Sequence, residues 1–237
     1  MAPTVTAERF AQGMTFDEYV KYIGSPENLG RESSGGAPPP RRDFSAYFRE
    51  AYAKRRLSYG QTKALEWLAA QPGGPAKLLV ISEDWSSDCR RDVPTFARIA
   101  AETGIELRIF RRDGQKFSAA NVPSLAEAPD SNADLMAQFL NHKNGNTWQS
   151  IPVAAFFTKD MEHLYTYQEY PAIYHKDPLV VDHIRAARPG ETAQETSARA
   201  DREFGELVNG PFFEIWASAA VDEIVSALQR RLVLGKA

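Results

Sequence analysis

The sequence predicts an α/β fold, a central mixed β-sheet flanked by helices, with further helices before and after it. Three observations lead there. A short apolar run, Lys77 to Ser82, is followed by a helical pattern over Asp88 to Glu102 and an alternating run, Ile105 to Phe110. Strand, helix of about 15 residues and strand is the parallel crossover unit, right-handed almost without exception. Before residue 75 and after residue 192 the apolar residues recur only at helical spacing. The length of 237 residues, with 43% hydrophobic and 25% charged residues, is ordinary for a globular chain and supports one enlarged domain or at most two.

Taken in order, Thr15 caps a short helix, Phe16 to Val20, which carries acidic residues in its first turn and reads as peripheral. Gly24 to Arg42 contains Ser33-Ser34-Gly35-Gly36-Ala37-Pro38-Pro39-Pro40 and reads as a loop or tether without regular structure. A helix restarts at Asp43, with Phe44, Tyr47, Phe48, Ala51 and Tyr52 at three- and four-residue spacing. A second carries Ala64, Leu65 and Leu68 before Gln71-Pro72-Gly73-Gly74-Pro75 stops it. Residues 1–75 thus form a helical extension with a Gly/Pro-rich loop at 24–42, and residues 76–237 an α/β domain with C-terminal helices. Within that domain Val93, Phe96, Ile99 and Ala100 share a helix face. A polar stretch runs from Arg111 to Asn132, and Ala133 to His142 reads as a helix. Ile151 to Thr158 and His163 to Gln168 read as strands joined in a hairpin at Lys159-Asp160. Helices close the chain near Thr192 to Val208 and Pro211 to Leu234, the last with Phe213, Trp216, Ala220, Ile224 and Leu228 in register.

Composition narrows the function classes. With 28 Lys and Arg against 31 Asp and Glu, the net charge of −3 gives no reason to expect nucleic acid as a partner. Met1 to Phe16 lacks the apolar core of a secretory leader, and the longest apolar runs fall far short of the roughly 20 residues of a membrane span. A soluble, cytoplasmic protein with no membrane partner is expected. His142, His163, His175 and His183 lie far apart, so no metal site is expected, and with no glycine-rich phosphate motif no cofactor is expected either. Arg111 and Arg112 at a strand exit read as a turn, with anion binding the lesser alternative. Tyr165, Tyr167, Tyr170 and Tyr174 read as packing residues. The single cysteine, Cys89, excludes any intrachain disulfide and any multi-cysteine metal site.

Chemistry concentrates in Ser82-Glu83-Asp84-Trp85-Ser86-Ser87-Asp88-Cys89-Arg90-Arg91, where the first strand becomes the first helix of the crossover. Active sites of open α/β sheets concentrate at such strand ends. Here residues 76–170 resemble the thioredoxin family. Trp85 stands where the family has the tryptophan before Cys-x-x-Cys, Cys89 at the second cysteine, and Pro94 at the proline that kinks the active-site helix. Ile151-Pro152-Val153 is similar to the family's cis-proline loop. The resemblance implies a thioredoxin-like fold, with Ser86 and Cys89 at the catalytic positions and with Trp85, Ser87, Asp88, Ile151 and Pro152 contacting a protein or small thiol or disulfide substrate.

The chain departs from the family at the attacking position, which is Ser86, and at the family's buried acid, which falls on Val80. Exchange needs one thiolate to attack and a second thiol to resolve the mixed disulfide. Ordinary dithiol turnover is therefore excluded. Ser86 reads as a helix cap, placing Cys89 in the first turn. There the helix dipole, Arg90 and Arg91 favour a thiolate, while Asp88 and the Glu83-Asp84 pair oppose it and the resemblance implies a more buried second cysteine, so an inert thiol and a reactive monothiol both remain open. Ser86 reads either as the natural residue or as an engineered replacement for a cysteine. Two functions follow: a protein related to the thiol-disulfide oxidoreductases with Cys89 as its only thiol, or a non-catalytic module binding peptide in the groove between Trp85 and Ile151-Pro152.

Overall fold

A computed structural model describes residues 3–143 and 145–235. In chain order the elements begin with helices α1 (Ala7–Ala11), α2 (Phe16–Ile23), α3 (Pro26–Leu29), α4 (Ser45–Lys54) and α5 (Tyr59–Ala69). Strand β1 (Lys77–Ser82), helix α6 (Ser87–Thr103) and strand β2 (Glu106–Arg111) follow. After them come α7 (Ala133–Met136), β3 (Asn141–Lys143), β4 (Asn146–Trp148), β5 (Val153–Phe157), β6 (His163–Gln168), α8 (Ala193–Val208) and α9 (Pro211–Leu234). A π-helical stretch, Asp177–Ile184, precedes α8.

The main sheet has the order β2-β1-β5-β6. β1 and β2 run parallel, as the crossover pattern requires, and β5 is antiparallel to both β1 and β6. Leu78 to Ile81 and Val153 to Phe157 are all fully buried, so helices cover both faces of these central strands. The free side of β2 meets Met14, whose backbone exchanges hydrogen bonds of 2.8 and 2.7 Å with Ile109. That contact blunts an open sheet edge. It also demands glycine at position 13, where a Cβ would lie 2.6 Å from the Phe110 ring.

Several expectations change here. Thr15 caps α2 through a reciprocal pair with Glu18, but α2 is not peripheral. Its Tyr19, Val20 and Ile23 are buried in the main core, and the Tyr19 hydroxyl lies 2.9 Å from Ser82 Oγ. Part of 24–42 is ordered against the core, while 37–42 has neither helix nor strand. Ser25 caps α3, and Asn28, Arg31 and Arg41 are buried, because β1 ends in two carboxylates that need cationic partners. The helix expected over 133–142 stops after one turn, since Asn141 to Lys143 pair with Asn146 to Trp148 across a turn with Gly145 at φ 72°. The Tyr-rich stretch packs: Tyr174 stacks on Trp216 at 3.7 Å in a small second core with Val180, Ile184 and Phe213.

Phe48 anchors α4 to the main core, fully buried and edge-on to Tyr19 at 5.8 Å. Phe48→Ala is expected to cost about 3–5 kcal/mol in urea unfolding. Tyr59→Ala, at a side chain 80% exposed, is expected to change stability by less than about 0.5 kcal/mol.

Candidate functional site

The turn from β1 into α6 is held by local hydrogen bonds. Ser86 takes an extended conformation and its hydroxyl accepts from the Cys89 backbone N–H at 3.3 Å, satisfying one of the free donors of the first helical turn. Its own N–H donates to the Glu83 carbonyl at 3.2 Å. Cys89 consequently faces inward and is fully buried in the main core. Burial pushes its thiol up to about 12, against the weaker pull of hydrogen bonds from the Ser82 hydroxyl, the Glu83 backbone and the Ser86 hydroxyl, and the charge of Asp88 adds to the rise. Neighbouring cations do not reverse this, because they are engaged elsewhere. Arg90 donates to the Asp84 and Trp85 carbonyls at 2.9 and 2.8 Å and lies 4.1 Å over the Phe44 ring. Arg91 is fully buried between Asp88 and Asp92, each at 2.7 Å.

Two clusters of opposite charges flank the turn. Beneath it, Glu83 accepts from Arg31 at 2.6 Å, Arg41 at 2.7 Å and the Asp113 N–H at 2.9 Å. Asp84 accepts from Arg41 at 2.8 Å and from Asn28 at 3.2 Å. Burial opposes ionisation of Glu83, but the two guanidinium groups prevail and hold its carboxyl below the usual range. Asp84 goes the other way, raised by burial and by the charge of Glu83. On the helix side, Asp88 accepts from Arg91 and, at 2.5 Å, from Lys176, which also holds Glu169. Tyr167 donates to Asp92 at 2.8 Å.

Trp85 is half-buried. The Phe117 ring stands edge-on to it at 5.7 Å, and the Arg112 guanidinium lies 5.2 Å from both ring centres. Arg112 also pairs with Asp113 at 2.8 Å and donates to the Gln149 carbonyl at 3.1 Å. Arg111 pairs with Glu27 at 3.0 Å, so neither arginine of the strand exit is left for a free anion. The Ile151-Pro152 peptide is cis, and both residues are buried. Pro152 accepts from the Glu169 N–H at 2.8 Å, whereas the Ile151 amide and carbonyl have no hydrogen-bond partner among the described residues.

Of the residues singled out by sequence, Ser86 and Cys89 meet directly through the cap. Ser87 is partly exposed beside them, and Asp88 is committed to its ion pairs. Sequence reasoning missed Arg31, Arg41, Phe117 and Gln149. The available signal for the two arginines was the acidic pair Glu83-Asp84 directly after a buried strand, since charges there require partners. Among the described residues no three His, Cys, Asp or Glu side chains are grouped to hold a metal ion, and no helix is long and apolar enough to cross a membrane.

A family model described as Thioredoxin matches residues 46–128, from α4 through α6 and β2. No curated protein matches the chain in sequence. Among solved structures, an HIV epitope scaffold is similar over 99% of this chain and 100% of its own, with 16% identity and a TM-score of 0.51. A protein of unknown function from Pseudomonas aeruginosa aligns over 95% of this chain and 98% of its own, at 16% identity and a TM-score of 0.49.

The site makes three testable predictions. Cys89 is expected to resist alkylation in the folded protein at pH 8 and to react rapidly in denaturant, as followed by mass spectrometry. Above an ordinary thiol range near 9, the unfolded chain releases a proton that the folded chain keeps until about 12. The stability linked to Cys89 is therefore complete below that range and falls by about 1.4 kcal/mol per pH unit above it. Urea titrations between pH 8.5 and 10.5 check this, with Cys89→Ala expected to remove one proton's worth of slope. Separately, Arg31→Ala leaves Glu83 buried with a single cation and is expected to cost about 3–5 kcal/mol by the same unfolding measurement.

Proposed function

Because the chain carries a thioredoxin-like domain, we propose that it is a relative of the thiol-disulfide oxidoreductases that binds extended polypeptide without redox turnover. The observation that carries this reading is a buried thiol in a chain whose cis-proline peptide leaves backbone groups unpaired. Cys89 is fully buried and held protonated, while the Ile151 amide and carbonyl, next to the cis peptide, have no hydrogen-bond partner among the described residues.

Thiol-disulfide exchange begins with attack by a thiolate on a disulfide sulfur. Ser86 stands at the attacking position, and its hydroxyl is used as the helix cap. A hydroxyl has no accessible alkoxide near neutral pH and makes no stable bond to sulfur under these conditions. Cys89 lacks both exposure and thiolate character, which disfavours the monothiol reading. Ser86 and Cys89 thus occupy the catalytic positions as structural groups. What remains is a recognition surface. An extended polypeptide pairs its backbone with Ile151, next to Pro152, and lays a side chain against Trp85 and Ser87. Asp88 contributes at one remove, fixing the first turn of α6 through Arg91 and Lys176.

The kinship and the role have separate tests. Ser86→Cys creates a Cys-Ser-Asp-Cys pair in the inherited position, and the variant is expected to reduce a model protein disulfide that the unaltered chain leaves intact. No exchange by the variant would count against descent from an oxidoreductase scaffold. For the binding role, the unaltered chain is titrated with an alkylated, permanently unfolded polypeptide. Trp85→Ala is expected to weaken binding about tenfold, the effect of losing roughly 1.4 kcal/mol of contact. Equal binding by both chains, or none by either, sinks the proposal.

A further inference from the structure

Residues 117–120 form an irregular segment, without helix or strand pairing, that connects two parts of the candidate site. At one end Phe117 meets Trp85 edge-on, and the Arg112 guanidinium contacts both rings. At the other, the Gln149 side-chain amide donates to Ser118 Oγ at 2.8 Å and to the Ala120 carbonyl at 2.6 Å. Arg112 also donates to the Ser118 carbonyl at 3.4 Å. Gln149 lies three residues before Pro152, so this strap links the tryptophan side of the site to the approach to the cis peptide. Its residues are small after the aromatic, and Ser118, Ala119 and Ala120 are at least partly exposed. Two features mark the arrangement as incomplete. Trp85 Nε1 is buried without a hydrogen-bond partner among the described residues, and the Ile151 backbone is unpaired. A buried indole N–H ordinarily finds an acceptor.

Resting on the polypeptide-binding role above, we propose that residues 117–120 are an intramolecular ligand of the site, and that its external partner is an extended polypeptide presenting an aromatic residue followed by small residues, which displaces the strap. Arg112 and Gln149 are then recognition residues. Arg112 supplies a cationic face for the aromatic side chain, and Gln149 supplies donors to the backbone beyond it. The external chain adds what the strap lacks, a carbonyl for Trp85 Nε1 and backbone pairing to Ile151. The strap competes by mass action within the same chain, so the apparent affinity of the partner scales with the fraction of molecules whose strap is released.

The test uses a fluorescently labelled peptide copying residues 116–121, a second peptide with its aromatic replaced by serine, and the full chain. Phe117→Ser, which removes a half-buried ring, releases the strap and is expected to bind the first peptide about tenfold more tightly than the unaltered chain. In that background Gln149→Ala is expected to weaken binding about tenfold. Circular dichroism melting confirms that each variant is folded, and the unaltered chain with each peptide gives a readout independent of any substitution. Equal binding of the aromatic and serine peptides, or no gain on release of the strap, overturns the inference while the alkylated polypeptide still binds in a Trp85-dependent way. Failure of that polypeptide to bind as well overturns both readings.

Discussion

Glu83 is a carboxylate at the end of a buried strand, 1% exposed, and it stays ionised because guanidinium groups from Arg31 and Arg41 reach it at 2.6 and 2.7 Å. An uncompensated charge in that position would carry a desolvation penalty of several kcal/mol. Meeting that requirement organises the surrounding chain. It draws Asn28, Arg31 and Arg41 inward from a segment whose Gly- and Pro-rich part, 34–40, stays exposed, and it fixes the Asp113 N–H over the end of β2. Through Asp84 and Asn28 it also ties α3 to the turn that presents Trp85 and Ser86. Three guanidinium groups, Arg31, Arg41 and Arg112, face three carboxylates, Glu83, Asp84 and Asp113, so the cluster is close to neutral as a unit.

The same charge economy explains why the thiol is quiet. A cysteine in the first turn of a helix, followed by two arginines, has the local ingredients for a stabilised thiolate. In the folded chain those arginines are consumed, Arg90 by backbone carbonyls and a phenyl ring, Arg91 by Asp88 and Asp92. Burial then decides the sign, and the proton stays on sulfur. The Ser86 hydroxyl is itself engaged as the cap of this helix, accepting from the Cys89 N–H.

Trp85 is half-buried against Phe117, and the peptide before Pro152 is cis, with Ile151 and Pro152 both buried. Phe117 packs edge-on against Trp85 and Gln149 holds Ser118 and Ala120, which keeps part of this apolar surface from water.

The sequence by itself determined the crossover unit, the helical flanks and the position of the candidate turn, because hydrophobic period and capping residues are local signals. Thr15, Ser58, Ser86 and Thr192 all cap helices through hydrogen bonds spanning three residues. Its one cysteine also excludes dithiol chemistry within the chain. Tertiary contacts decided that Asn28, Arg31 and Arg41 of the 24–42 segment are buried, that α7 ends after one turn, and that Cys89 is sealed. Each of these depends on partners distant in the chain, as Arg31 to Glu83 and Gln149 to Ala120 do, and residue spacing carries no information about which distant charges and amides will meet. The balance between a helix dipole and burial at Cys89 was likewise undecidable from neighbours alone, since desolvation is a property of everything packed around the sulfur.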